Sequence, residues 1–185
     1  MESYTFEVKK KPIKIMKYIF TILVACLTLL SCKTENETEK PNVTTFYFIR
    51  HAEKNRENPE DKNPSLTEKG QLRAKKWSDI FKNITFDAIY STDYNRTIET
   101  ASPTAYNNNL DIIKYEPENL NTLKIFKEGY ENILVVGHSN TVPKLVNNLL
   151  QEDVYPDIDD QNNGNLYIVT LVNQKVVSVN LLTIN

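Results

Sequence analysis

The residues of this chain best suited to chemistry are its two histidines and the arginines near them. His51 follows Arg50 at the end of the apolar run Phe46-Tyr47-Phe48-Ile49, and His138 follows Gly137 at the end of Ile133-Leu134-Val135-Val136. A second arginine, Arg96, lies just beyond Ile89-Tyr90-Ser91-Thr92. A neutral imidazole can act as a nucleophile, and a guanidinium fork can hold phosphate oxygens in pairs. Each residue alone has a bland reading: Arg50 or Arg96 as a surface charge or salt-bridge partner, His138 as a satisfied core imidazole. Two arginines and two histidines gathered at strand ends would form a cationic, hydrogen-bond-donating pocket suited to a phosphoryl group. Ser139, in Gly137-His138-Ser139, invites a serine-hydrolase reading. That reading fails because Gly-x-Ser-x-Gly requires a glycine where Thr141 stands.

The elements that must position these residues can be read from periodicity. Phe46–Ile49, Phe86–Tyr90, Leu110–Tyr115 and Asn132–Val136 are short apolar runs that read as strands. Thr67 is a candidate N-cap for a helix with Ala74, Trp77, Ile80 and Phe81 on its apolar face. Gly70, in that helix's first turn, points to a close approach by another element. The Arg96 segment opens a helix to about Ala105, and Leu120–Phe126 reads as part of another. Thr141–Leu150 is helical, with Pro143 tolerated in the first turn. Asn165–Val172 and Val176–Leu182 alternate and could pair as a hairpin around Asn173-Gln174. Strands alternating with helices predict an α/β domain, a three-layer α/β/α sandwich. Ligands of such sheets bind beyond the carboxyl ends of the strands, where these candidate residues lie.

Three stretches carry a family likeness. Arg50-His51-Ala52-Glu53, Ser91-Thr92 running to Arg96-Thr97, and Gly137-His138-Ser139-Asn140 resemble, in this order, the histidine phosphatase superfamily with its phosphoglycerate-mutase-like fold. The resemblance covers about Thr44 to Leu182 and implies a mixed central sheet. It also implies a two-step, metal-independent phosphatase that uses no cofactor. His51 would attack phosphorus to give a phosphohistidine that water then hydrolyses, while Arg50, Arg96 and His138 hold the equatorial oxygens. The substrate would be a small phosphorylated molecule or a phosphohistidine protein. With both histidines engaged, a zinc site has no ligands to spare.

The general acid is less regular. Mutase-like members of the superfamily carry a Glu after the third strand in a Leu-x-Glu context, where this chain has Leu120-Asn121-Thr122. Glu116 and Glu118 lie near the same strand end, Glu53 lies close to His51 in sequence, and the bland reading of both strand-end carboxylates is exposed loop. Glu116 is preferred because it follows Leu110–Tyr115 directly, and Pro117 biases it towards an extended backbone. Mutases also carry an Asn six residues past the nucleophile, where this chain has Glu57. These departures and the compact size lean towards the small phosphohistidine-phosphatase-like branch. The alternatives are a catalytically idle phospholigand-binding module and, with no room for covering insertions, a phosphoglycerate-type mutase. Asp157 to Gly164 superficially suggests a calcium loop. Read from Asp159, however, it has Gln161 at the third place and Thr170 where a bidentate Glu belongs, so it reads as an acidic turn beside the pocket.

The first residues read as a targeting segment. Five lysines between Lys9 and Lys17 lead into the apolar run Tyr18–Leu30, which is shorter than the roughly 20 residues of a spanning helix but fits a signal-peptide core. A buried N-terminal helix is the alternative, weakened by the polar stretch that follows. Leu29-Leu30-Ser31-Cys32 resembles a bacterial lipobox, which implies lipidation at Cys32. Met16 offers an alternative start. The expected organisation is a lipoprotein signal peptide over residues 1–31, a flexible tether over 32–42 and a histidine phosphatase domain over 43–185. The protein is expected to be extracytoplasmic in a bacterial cell envelope, held to the membrane by lipid only. If residues 1–31 are removed, Cys26 leaves with them, so no disulfide is possible within one mature chain. The net charge moves from −2 to −5, which disfavours nucleic acid as a partner. A monomer is expected.

Overall fold

The computed structural model describes residues 40–117 and 129–184. Its elements are β1 (Val43–Arg50), α1 (Glu68–Ile80), β2 (Ala88–Ser91), α2 (Asn95–Asn108), β3 (Ile112–Lys114), β4 (Asn132–Gly137), α3 (Thr141–Leu150), β5 (Asn165–Val172) and β6 (Lys175–Thr183). The six strands form one sheet in the order β3-β2-β4-β1-β5-β6. The first four of these positions are parallel pairs, and β5 and β6 add antiparallel strands on the β1 side. This is the mixed central sheet expected from the sequence.

The sheet is covered on both faces, so its central strands are apolar on both. Phe46 and Phe48 of β1 and Ile133 and Val135 of β4 pack with Val142, Leu145 and Val146 of α3. Their neighbours Ile49, Leu134 and Val136 turn the other way, towards Trp77 of α1 and Ala101 and Ala105 of α2. Three layers result, with α1 and α2 on one face and α3 on the other. Ile80 is a correction to the expected apolar face: it is exposed at the end of α1, while Ala74, Trp77 and Phe81 are buried.

Local signals explain the element boundaries. The Thr67 hydroxyl caps α1 by accepting from Gly70 N at 3.1 Å. The same Thr67 places its N–H on Glu53 O at 2.9 Å. A Cβ at Gly70 would collide with that carbonyl oxygen, so the glycine lets the loop after β1 tuck under the helix. The β5–β6 turn has Asn173 at φ 49° and Gln174 at φ 64°, the left-handed pair of a type I′ hairpin. β3 is shorter than its apolar run. Asn109 closes α2 in the left-handed region and Leu110 N–H bonds back to Ala105 O, so Leu110 belongs to the helix end. The helix expected over Leu120–Phe126 lies outside the described residues.

Candidate active site

The sheet register brings the expected residues together. Arg50 pairs with Gly137 between β1 and β4, and Ser91 pairs with Val136 between β2 and β4. The three strands therefore end side by side, and His51, Thr92 and His138 are their first residues beyond the sheet. His51 N–H continues the ladder to Gly137 O at 2.9 Å, and His51 O accepts from Asn163 Nδ2 at 2.8 Å. The Ala52 N–H binds Thr100 Oγ1 on α2 at 2.9 Å. The backbone around His51 is thus fixed from three directions.

The imidazoles of His51 and His138 meet edge to face with ring centroids 5.5 Å apart. His51 Nδ1 lies 2.7 Å from Ala52 O, which can only accept, so Nδ1 carries the proton and Nε2 keeps its lone pair. Burial pushes the His51 pKa down to about 3. The bond to Ala52 O works the other way, and the charges of Arg50, His138 and Arg96 add to the lowering. His138 is pushed down to about 4, by burial first and then by Arg96, Arg50 and Lys54. At neutral pH both rings are neutral, the state a nucleophilic imidazole requires.

The two arginines differ. Arg96 lies with its guanidinium carbon 4.3 Å from the centroid of the Tyr94 ring, and Tyr94 in turn meets His138 edge-on at 5.2 Å. Arg96 Nε and Nη1 are buried and have no hydrogen-bond partner among the described residues. Arg50 is buried and largely committed. Its Nη1 donates to the carbonyls of Asp159, Asp160 and Asn162 at 2.8, 3.0 and 3.0 Å, and its Nη2 to Asp160 Oδ1 at 2.7 Å. Among the described residues, only Nε is left without a partner. The expected phosphate ligand is thus mainly a clasp on the 159–162 loop.

The candidate acids fare unequally. Glu53 is taken up elsewhere: Arg73 contacts both its oxygens at 2.9 Å and Lys69 adds a third contact at 3.3 Å. Burial raises the Glu53 pKa, but the Arg73 bonds outweigh it, and the net shift is downward. Glu116 follows Tyr115, whose N–H still bonds Ser91 O at 3.0 Å, so it stands at the carboxyl end of β3. Its side chain is exposed. Pro117 lines the cleft beside His138 and Arg96; Glu116 does not. Glu118 and Thr122 lie outside the described residues. Glu57 is exposed and accepts the Asn55 side chain at 3.4 Å.

Several site residues were not foreseen from sequence. Thr92 is fully buried with its Oγ1 3.0 Å from His138 Nε2. Lys54 directly follows the Arg50-His51-Ala52-Glu53 motif, which was the available signal. Burial first, then Arg96 and Arg56, lowers its pKa. The cleft itself, about 860 Å³, is walled by Lys144 of α3 and by Asp153 and Asp157 of the following loop. No local pattern marks those three. Among the described residues, no group of three or more His, Cys, Asp or Glu side chains could hold a metal ion.

Comparison with known proteins bears on the fold. The family model of the histidine phosphatase superfamily (branch 1) matches residues 46–118. No curated protein matches the chain in sequence. Among solved structures, the chain is similar to the protein histidine phosphatase SixA complexed with tungstate, at 16% identity and a TM-score of 0.62, covering 76% of this chain and 97% of that one. It is also similar to a mycobacterial glucosyl-3-phosphoglycerate phosphatase, at 11% identity and a TM-score of 0.57, over 78% of this chain and 99% of that one. A phosphoglycerate mutase from Bacillus anthracis matches at 15% identity and a TM-score of 0.55, over 78% of this chain and 93% of that one. At such identities the likeness is one of fold. Residues 46–118 thus match the histidine phosphatase superfamily (branch 1) model, and the fold is a phosphoglycerate-mutase-like α/β fold.

Proposed function

We propose that this protein is a metal-independent phosphatase that works through a phosphohistidine on His51, with a phosphomonoester or a phosphohistidine protein as substrate. One observation carries the reading: a neutral His51 with Nε2 free stands against His138 and near the unpartnered Nε and Nη1 of Arg96, and both His138 and Arg96 line an open cleft. In the first step His51 Nε2 forms a bond to phosphorus as the bond to the leaving oxygen or nitrogen breaks. In the second, water attacks phosphorus and the imidazole leaves. Arg96, Arg50 through Nε, and His138 would hold the equatorial oxygens, where charge is stabilised in the transition state. The cleft has room for a leaving group much larger than the phosphoryl group.

The proton for that leaving group is assigned to Glu116, on the support of its place at the β3 end next to the cleft-lining Pro117. If Glu116 does not reach the leaving group, the same pocket describes a phospholigand-binding module, and its exposed side chain is the observation favouring that second reading. A panel of small phosphate esters and a phosphohistidine peptide, assayed with rapid acid-free quench, tests the proposal. Wild type should carry alkali-stable, acid-labile phosphate that His51→Ala lacks. Phosphate retained on the variant would remove His51 from the role.

We also propose that Cys32 is acylated after removal of residues 1–31, which would place the domain outside the cytoplasm on a lipid anchor. Leu29-Leu30-Ser31-Cys32 supports this. Mass spectrometry of the membrane fraction should find a diacylated or triacylated Cys32 as the first residue; an unmodified cysteine there would refute it.

A further inference from the structure

Behind His138 runs a short chain of hydroxyl groups whose protons can be counted. Thr97 Oγ1 lies 2.9 Å from two carbonyl oxygens, Thr92 O and Tyr94 O. Carbonyls only accept, so the single Thr97 proton goes to one of them. Thr97 Oγ1 is then an acceptor towards Thr92 Oγ1, 2.9 Å away, and the Thr92 proton points at Thr97. What Thr92 offers to His138 Nε2, at 3.0 Å, is a lone pair. The ring must donate there, and its proton sits on Nε2. His138 Nδ1 has no hydrogen-bond partner among the described residues and keeps its lone pair, and His138 itself lines the cleft.

We propose that Thr92 is a positioning residue: backed by Thr97, it holds His138 as the Nε2–H tautomer, so that a phosphoryl group binding in the cleft must bring one proton to Nδ1. This inference rests on the phosphatase reading of the site. A phosphoryl oxygen and an imidazole lone pair repel each other. A monoanionic phosphoryl group resolves this by passing its P–OH proton to Nδ1. His138 becomes an imidazolium that donates from Nδ1 to the phosphoryl oxygen and from Nε2 to Thr92, and the substrate becomes the dianion. No proton is gained or lost overall. The resting neutrality of the ring fits this uptake, and burial first, then Arg96, limits it until the anion arrives.

Two buried features keep Thr92 where it is. Its side chain is wholly enclosed, and its carbonyl accepts from Ser91 Oγ at 2.9 Å, with Thr97 Oγ1 at the same distance. His138 is fixed on its side by its own N–H, which donates to Thr141 Oγ1 at 3.0 Å.

Nitrogen-15 NMR of the histidine-labelled domain in its full chain reads the tautomer directly, since only two imidazoles contribute and His51→Ala assigns them. His138 should show the protonated-nitrogen shift at Nε2 and the bare-nitrogen shift at Nδ1 near neutral pH, and both should become protonated as orthophosphate is added. Observation of the Nδ1–H tautomer in the free protein would overturn the proposal. Thr92→Val should mix the tautomers and lower kcat by about 10²-fold or more, as for a histidine released from its working tautomer, while Thr92→Ser should restore both. An unchanged tautomer and kcat in a folded Thr92→Val protein would likewise overturn it. If wild type turned over no phosphate compound, the phosphatase reading would fall, and the tautomer measurement would still decide this one.

Discussion

Asp160 grips Arg50: its Oδ1 lies 2.7 Å from Arg50 Nη2, while its other oxygen lies 2.8 Å from Arg56 Nη2. Arg50 is buried and Asp160 mostly exposed, so one carboxylate at the rim balances a cation inside the site. Hydrogen bonds from Arg56 first, then Arg50, hold the Asp160 pKa down to about 2.

The pairing sets the charge that an incoming anion meets. Asp160→Asn keeps an oxygen that can accept from Arg50 and removes one negative charge. Inorganic phosphate should then inhibit more strongly, by a few-fold, the order expected of one charge in a solvated site. Product-inhibition constants of the two proteins measure this. Weaker inhibition in the variant would mean that Asp160 chiefly secures the 159–162 loop.

The two histidines make the molecule easy to titrate. With His51 and His138 pushed down to about 3 and about 4, their C2–H resonances should not move between pH 8 and pH 5. Orthophosphate should raise the His138 inflection, because an anion favours the imidazolium. Folding stability has the matching sign. The unfolded chain binds more protons than the folded one once the pH drops below about 6.5, the ordinary histidine value. Stability is therefore full above that pH and is lost as the pH falls towards 3–4. Thermal midpoints should be lower at pH 5 than at pH 7.5, and a rise would contradict the buried, neutral state.

Glu116 is tested by leaving group. A general acid contributes typically about 10²–10⁴-fold, most where the leaving group is poor. Glu116→Gln should slow an alkyl phosphate by that order and barely change p-nitrophenyl phosphate or a phosphohistidine peptide. Equal losses on all three would show a residue that shapes the pocket. With no loss on any, Asp157 and Asp153 on the cleft wall become the carboxylates to examine next.

What could be read from sequence here were features carried by local pattern. The runs ending at Arg50-His51 and Gly137-His138 are strands, and Arg96 opens α2. The Thr67 cap, the close approach at Gly70 and the Asn173-Gln174 turn also have local causes. Long-range pairing could not be read. The partners of Arg50 come from residues 159–162, on the far side of β4 and α3. Glu53 looked free until Arg73 and Lys69, one α1 turn apart, closed on it. Thr92 carries no mark in sequence that it will meet His138. Leu110 looked like strand because it is apolar, but its N–H is spent on closing α2.

The place of β4 in the sheet has a further consequence. It lies between β1 and β2, yet it is made after both, so β1 and β2 cannot reach their final neighbours until the later strand inserts between them. His138 arrives with that strand, and the clasp on Arg50 arrives later still, from the loop before β5. Pairings so distant in sequence form slowly. A chain truncated or stalled before β4 would hold His51 and Arg96 without the imidazole or the loop that complete their pocket. Any activity regained during refolding therefore reports closure of the whole sheet and not the formation of either half.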